Sequence, residues 1–333
     1  MSGPRIGVVG LGRFGDIHSR IWNEMPQAEL VAVCSRDADR ARAVAEAHGA
    51  PKWYTDYEDM ARDPDIDAID ICNELARHTE VGLAALSEGK HVLCEILHAL
   101  TLEETSQLMA SAQEHHAHYM VGFIERFDVR RALAKQKIDA GELGSLVSMY
   151  VRRNVWRGFL DVPRDQPYPL ILQPGILSID QLLWLGGSRV REVYARTRSL
   201  SNPAKADAWW IMLTFENGLV GVIEQSWFMP DIRLLWCDVH FEAVGTQATY
   251  QFHEPNDSNW LWTPEVTRHS DFYLLSELHG RATGALANQL AYFAEHIAAG
   301  QTPAIGTLAE AYEALRVGLA ITESAACGRA IQL

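Results

Sequence analysis

Residues 5–36 constrain this chain most, because they carry a strand, a glycine turn, a helix and a second strand in the order that builds a dinucleotide site. Arg5-Ile6-Gly7-Val8-Val9 is a short apolar run, the pattern of a strand buried on both faces of a parallel sheet. Gly10-Leu11-Gly12-Arg13-Phe14-Gly15 follows at once. In a G-x-G-x-x-G turn the first glycine allows the tight bend and the second lets the backbone approach a pyrophosphate. The third lets helix and strand pack closely. A helix over residues 16–25 follows, so phosphates are expected at its N-terminus, with Arg13 and Phe14 on the turn. Glu29-Leu-Val-Ala-Val-Cys34 is the second strand.

The residue closing that second strand selects the cofactor. An acidic side chain there accepts hydrogen bonds from ribose hydroxyls, whereas a hydroxyl followed by a guanidinium suits a 2′-phosphate. Here the strand ends in Ser35-Arg36, which favours NADP over NAD. The other reading leaves Arg36 to solvent and gives the acidic role to Asp37 or Asp39.

Composition narrows the class further. A chain of 333 residues is long enough for two domains with substantial cores. Its formal net charge of -14, without a local Lys/Arg cluster, argues against a nucleic-acid surface and leaves small molecules as the expected partners. There is no basic, apolar leader at the start and no uncharged run of membrane-spanning length. Five scattered cysteines without a C-x-x-C pair read as reduced thiols of a cytoplasmic protein. His115-His116-Ala-His118 lacks a completing carboxylate and reads as a solvated helix end, so no metal is expected.

Alternation of helices and strands continues to about residue 123. Strands are expected over 67–72, 90–94 and 119–122, with helices over 37–48, 78–87 and 101–116; Thr101 and Glu104 form a capping box. This is the pattern of a doubly wound parallel sheet, an α/β nucleotide-binding domain over residues 1–123. Asn73, His78 and Glu95, at or after the ends of its strands, are candidate cofactor contacts. Residues 124–333 read as a second α/β domain with a large, mostly antiparallel open sheet. Its strands are expected over 147–153, 190–196, 209–215, 218–227, 235–244 and 249–252, with an Asn217-Gly218 hairpin and closing helices over 284–299 and 308–327.

The glycine loop, His91-Val-Leu-Cys-Glu95, Val121-Gly-Phe123 with Arg126-Phe127, Ile138-Asp-Ala-Gly-Glu-Leu-Gly144 and Ala314-Leu-Arg-Val-Gly-Leu-Ala320 together resemble the Gfo/Idh/MocA oxidoreductases. The resemblance implies a Rossmann domain, a C-terminal α/β domain whose open sheet often mediates oligomers, a nicotinamide cofactor and hydride exchange with polar metabolites. It also exposes a departure. Where the family usually carries Glu-Lys-Pro, this chain has Glu95-Ile96-Leu97. Around Gly175, the family's aspartate, histidine and second aspartate correspond to Gln173, Leu177 and Asp180, so only Asp180 remains. A positioned proton donor or base typically supplies ~10²–10⁴-fold in rate, and Ile96, Leu177 and Gln173 supply none at neutral pH.

Three functions are compatible with these replacements. One is a hydride-transferring oxidoreductase acting on a carbonyl, imine or conjugated substrate with relocated chemistry; the others are a cofactor- or ligand-binding sensor and a non-redox lyase or isomerase. For the first, His98, Tyr168 and Asp180 are the catalytic candidates. Ile96, Arg126, Arg153, Trp156, Gln173 and Leu177 are the expected substrate contacts; the guanidinium forks suit carboxylates and rings. Trp209 and Trp210 must face opposite sides of a strand. At least one is therefore expected on a flat surface, and a homodimer or homotetramer is expected through that sheet.

Overall fold

The computed structural model describes residues 3–157, 168–201, 206–229, 237–254, 260–262, 267–269 and 274–333. The chain divides into two compact units, Met1–Phe127 with Phe272–Tyr312, and Asp128–Asp271 with Glu313–Leu333.

In the first unit strands and helices alternate. They are β1 (Arg5–Val9), α1 (Arg13–Glu24), β2 (Glu29–Cys34), α2 (Ala38–His48), β3 (Lys52–Tyr54), α3 (Tyr57–Ala61), β4 (Ala68–Ile71), α4 (His78–Ser87), β5 (His91–Cys94), α5 (Leu102–Glu114) and β6 (Tyr119–Val121). The six strands are parallel and ordered β3-β2-β1-β4-β5-β6. Strand order reverses beside β1, and a doubly wound sheet binds its ligand at such a reversal, outside the carboxyl ends of the strands. Helix α1 begins at Arg13, three positions before the expected start, because Gly12 already serves as its N-cap. The capping box on Thr101 forms as its spacing predicts.

The second unit opens with α6 (Val129–Asp139), β7 (Leu146–Trp156), α7 (Ile176–Gly186), β8 (Val190–Arg198), β9 (Ala208–Phe215), β10 (Val220–Met229), β11 (Cys237–Gly245) and β12 (Thr249–Glu254). The hairpin β13 (Trp260–Trp262) with β14 (Thr267–His269) follows; the hairpin β15 (Ser276–Leu278) with β16 (Arg281–Thr283) and α8 (Ala285–Ala298) belong to the first unit, and α9 (Leu308–Cys327), most of it in the second, leads to β17 (Ile331–Gln332). The large sheet runs β12-β11-β7-β10-β9-β8-β17 and is antiparallel except where β10 pairs with β7. One strand face is buried and the other open. On β9, Trp209 is buried while Trp210 and Met212 are 45% and 44% exposed.

Two features depart from the sequence reading. Helix α7 is buried almost all round, so its sequence lacks the polar stripe that marks a surface helix. The boundary at residue 123 is also too simple. Helix α8 belongs to the first unit, where Leu286, Leu290 and Phe293 pack with Ile6, Val8, Trp22 and Val33 in one apolar core. An amphipathic pattern shows that a helix has a buried face but not which sheet that face covers. Phe293→Ala is expected to lower stability by about 3–5 kcal/mol, the usual cost of emptying a buried phenylalanine site, read from the urea unfolding midpoint.

Candidate active site

The carboxyl ends of β1, β2 and β4 enclose a pocket of about 450 Å³ lined by Gly10, Gly12, Ser35, Arg36, Asn73 and Arg77, among others. The turn glycines are required there for different reasons. Gly10 has φ 94, and a Cβ on it would lie 2.3 Å from the Asn73 backbone. At Gly15 a Cβ would lie 1.9 Å from the Gly10 carbonyl oxygen. A Cβ on Gly12 would meet nothing within 4 Å, because it faces open space. Gly12 also caps α1 without any side-chain hydrogen bond, so the first-turn N–H groups, from exposed Arg13 through half-buried Phe14 to Gly15, are left for an anion. Asn73 Oδ1, buried in the wall, has no partner among the described residues. A pyrophosphate with its riboses fits this donor set.

Farther along the pocket, Ser35 Oγ accepts from the Asp37 amide at 3.3 Å, and the Asp37 carboxylate accepts from the Asp39 and Arg40 amides at the start of α2. Arg36 is exposed and ion-paired with Glu74. Arg77, which the sequence reading missed, lines the same wall with its guanidinium 5.3 Å from the Tyr57 ring centroid. Its only sequence signal is its place shortly after the end of β4.

Beneath the cradle lies a network absent from the sequence reading. Asp70 Oδ2, fully buried on β4, accepts from His18 Nδ1 at 2.7 Å and Trp22 Nε1 at 2.7 Å. Its Oδ1 accepts from Cys72 Sγ at 3.5 Å. His18 Nε2 has no hydrogen-bond partner among the described residues and stands 3.7 Å from Glu95 Oε1, which accepts from Gln289 Nε2 at 3.4 Å. Burial alone lowers the His18 imidazole, but the Asp70 carboxylate outweighs it and the net shift is upward. Burial, with Asp70 adding to it, pushes Glu95 up to about 7. His18, Asp70 and Cys72 lie within 4.8 Å of one another, close enough to hold a metal. Hydrogen bonds to Asp70 already join the three side chains, and burial raises the Cys72 thiol well above its ordinary value.

Several expected site residues take other roles in the structure. His98 is 1% exposed, its Nε2 pairs with Thr105 Oγ1 at 2.9 Å, and burial lowers it to about 3. It is a neutral core imidazole rather than a proton donor at the ligand rim. His78 is also buried, with Nδ1 2.7 Å from the Leu97 carbonyl and Nε2 3.0 Å from that of Asn73. Burial keeps the ring below its ordinary range, so the neutral imidazole donates to one carbonyl at a time and braces two loops instead of touching the pocket. Arg126 is buried, ion-paired with Glu310 and 5.2 Å from the Phe123 ring centroid, which commits its charge to the first unit's interior. Ile96 is half-buried and its peptide bond to Leu97 is cis.

The second unit brings Arg153, Leu177 and Asp180 together beside its buried sheet face, whereas Trp156 has the opposite parity on β7 and lies on the other face. Arg153 is fully buried on β7, and its Nε donates to Ser178 Oγ at 2.9 Å. Gln225 is paired with Arg153 in register on β10 and is 1% exposed, yet neither of its amide atoms has a partner among the described residues. Two positions on, buried Trp227 Nε1 is also without a partner among the described residues. A Cβ on Gly175 would lie 2.9 Å from Gln225 Oε1, which places this amide beside the Gln173-to-Asp180 segment. Leu177 and Asp180 are buried on α7. Tyr168 donates its hydroxyl proton to Gln173 Oε1 at 2.8 Å, and Trp156 is half-buried at the end of β7. An unpaired buried amide costs about 1–3 kcal/mol, and such groups persist where a ligand completes them. Gln225 escaped the sequence reading because one polar residue in a strand carries no periodic signal.

A glycine cradle on a doubly wound sheet, joined in one chain to a mixed-sheet unit with buried polar side chains, defines a nicotinamide-dinucleotide oxidoreductase. Residues 4–123 match the family model described as "Oxidoreductase family, NAD-binding Rossmann fold", and residues 132–251 match the GFO/IDH/MocA C-terminal domain. The chain is 30% identical to an uncharacterized oxidoreductase of Bacillus subtilis, covering 98% of this chain and 96% of the relative. It is 29% identical to the scyllo-inositol 2-dehydrogenase (NAD(+)) of the same organism, covering 99% and 96%. The scyllo-inositol dehydrogenase from Lactobacillus casei, solved with NAD(H) and scyllo-inositol, superposes with a TM-score of 0.83 at 22% identity over 99% of both chains. The chain belongs to the Gfo/Idh/MocA oxidoreductase family.

Two outcomes follow from this geometry. Gly12→Val is expected to leave the melting temperature nearly unchanged while weakening dinucleotide binding at least about tenfold, about 1.4 kcal/mol, because the new side chain fills only the cradle. Gly15→Ala is expected to lower the melting temperature itself. Because His98 is depressed in the fold, its contribution to stability is complete above its unfolded value of about 6.5 and is lost as pH falls toward 3. His98→Gln is therefore expected to flatten that acid limb in thermal melts and to leave dinucleotide affinity unchanged; a loss of affinity would return His98 to the site.

Proposed function

We propose that this protein transfers hydride between NADP(H), in preference to NAD(H), and a small hydroxylated carbonyl compound of the cyclic-polyol or sugar-derived kind, using acid–base groups other than the family's usual lysine and histidine. The observation that carries the reading is the open cradle at Gly12 with its uncapped helix N-terminus and unpartnered Asn73 oxygen. A bound dinucleotide supplies the hydride acceptor or donor. The chain supplies the rest: Gly10, Gly12, Arg13, Phe14 and Gly15 hold the phosphates, and Asn73 and Glu95 lie on the same carboxyl-end rim.

Ser35, Arg36 and Arg77 support the cofactor preference, since a hydroxyl and two guanidinium groups at one end of the pocket match a 2′-phosphate. On the substrate side, Gln225 offers one donor pair and one acceptor to vicinal hydroxyls, with Arg153 and Gln173 as further contacts. Tyr168 carries a transferable proton, and Asp180 is the remaining carboxyl group of the family's signature. Ile96 in the first unit and Leu177 in the second carry no ionisable group, so the proton must come from elsewhere. The naming of a 29%-identical relative as an inositol dehydrogenase agrees with a polyol skeleton. Exposed Trp210 and Met212 on the open sheet face support a homodimer or homotetramer, and five free thiols support a cytoplasmic location. A monomer in light scattering at micromolar concentration refutes the oligomer.

The test is consumption of NADPH, and in parallel NADH, with a panel of cyclic polyol ketones, imines and enones. Turnover with NADPH preferred carries the proposal, and Arg36→Ala is then expected to cost about tenfold in NADPH affinity with little effect on NADH, a loss of about 1.4 kcal/mol. Gln225→Leu is expected to raise KM for a polyol ketone by about tenfold or more, the usual penalty for losing buried hydrogen bonds to a ligand. Binding without turnover across the panel makes the protein a sensor. Conversion without net cofactor change makes it a non-redox enzyme.

A further inference from the structure

The strand order fixes which way a dinucleotide runs in the first unit. Ser35 and Arg36 follow β2 on one side of β1, so the far half of the cofactor extends over β4 and toward β5 on the other. Adjacent strands are about 4.8 Å apart, so Glu95, immediately after β5, sits about 10 Å along the rim from the glycine turn, within reach of a nicotinamide ring. Its side chain keeps a 12% exposure, while its Oε1 points back toward His18 Nε2. Gly122 allows that position, since a Cβ there would lie 2.6 Å from Glu95 Oε1.

We propose that Asp70, His18 and Glu95 form a buried proton relay that matches the charge of the nicotinamide, with Glu95 ionised beside the oxidised, cationic ring and protonated beside the reduced, neutral one. The inference rests on the dinucleotide reading given above. In the oxidative direction, a carbinol loses its C–H as hydride and its O–H bond breaks to form the carbonyl; the proton released goes to the Glu95 carboxylate. It stays there while the ring is reduced; His18 Nε2, without a hydrogen-bond partner among the described residues, faces the Glu95 carboxyl group at 3.7 Å, and Asp70 holds the imidazole in place. Charge is conserved, because the ring loses one positive charge as the relay gains one proton. Such a relay occupies the role left open by Ile96.

The groups facing Glu95 permit this and do not compete for the proton. His18 on α1 and Asp70 on β4 are the relay itself, and Gln289 on α8 donates a neutral hydrogen bond. Cys72 and Cys94 are kept protonated by burial, and burial keeps His78 neutral. Glu95 therefore changes charge near pH 7, in the range where the reaction must run.

The experiment needs no substrate. The full-length protein is titrated with NADP⁺ and with NADPH from pH 5.5 to 8.5, following tryptophan fluorescence, with proton uptake read by calorimetry in two buffers of different ionisation enthalpy. The expected result is that affinity for NADP⁺ rises relative to NADPH by about tenfold or more across pH 6–8, with more protons held in the NADPH complex. Glu95→Gln is expected to make the ratio flat in pH while both cofactors still bind, and His18→Gln to move the pH at which the ratio changes. Equal pH dependence for the two forms in the wild-type protein, or an unchanged dependence in Glu95→Gln, overturns the relay alone. Absence of binding by both cofactors overturns the dinucleotide reading and the relay together.

Discussion

Everything at the cofactor end depends on one close approach, the contact between the start of α1 and the turn after β1. Gly15 lies against the Gly10 carbonyl and Gly10 against the Asn73 backbone, with no room for a methyl group at either. That approach aims the α1 N-terminus at the pocket and brings His18 and Trp22, on the next turns of the same helix, onto Asp70. A buried carboxylate is costly unless it is hydrogen-bonded, and here three donors converge on it. The glycines thus set the cradle above and the polar network below at once.

The parts legible in the sequence are those with local periodicity or local chemistry. The alternating strands and helices of the first sheet, the glycine turn, the Thr101 capping box and the Asn217-Gly218 hairpin each announce themselves within about ten residues, and each is present. What stayed hidden is set by tertiary partnership. Helix α7 is buried on nearly every side, its polar Ser178, Asp180 and Gln181 included, so it has no solvent face to read. His98 looked like a replacement for a lost proton donor because it stands two places from Ile96, but its surroundings make it a core residue hydrogen-bonded to Thr105. Asp70 and His18 are 52 positions apart in sequence, and no spacing rule links them.

The two units also handle polar burial differently. In the first, a carboxylate, an imidazole and an indole join in one network, and His18 Nε2 and the Asn73 oxygen are among the buried atoms without a partner among the described residues. In the second, Arg131 is tied to Asp128, Gln181 and Glu254, while both amide atoms of Gln225 and the amide nitrogen of Gln181 have no partner among the described residues. Closed sets fix backbone position; open groups are where a ligand adds the missing bonds.

The return of residues 272–312 to the first unit also bears on how the chain is made. Synthesis releases the glycine turn and its sheet first, yet the helix whose Leu286, Leu290 and Phe293 finish the core around Ile6 and Trp22 is released only after the whole strand-rich middle has emerged. The apolar floor around Ile6 and Trp22 therefore lacks its cover until residues 285–298 have left the ribosome, so the core of the nucleotide unit is completed by a helix made more than 150 residues after its sixth strand.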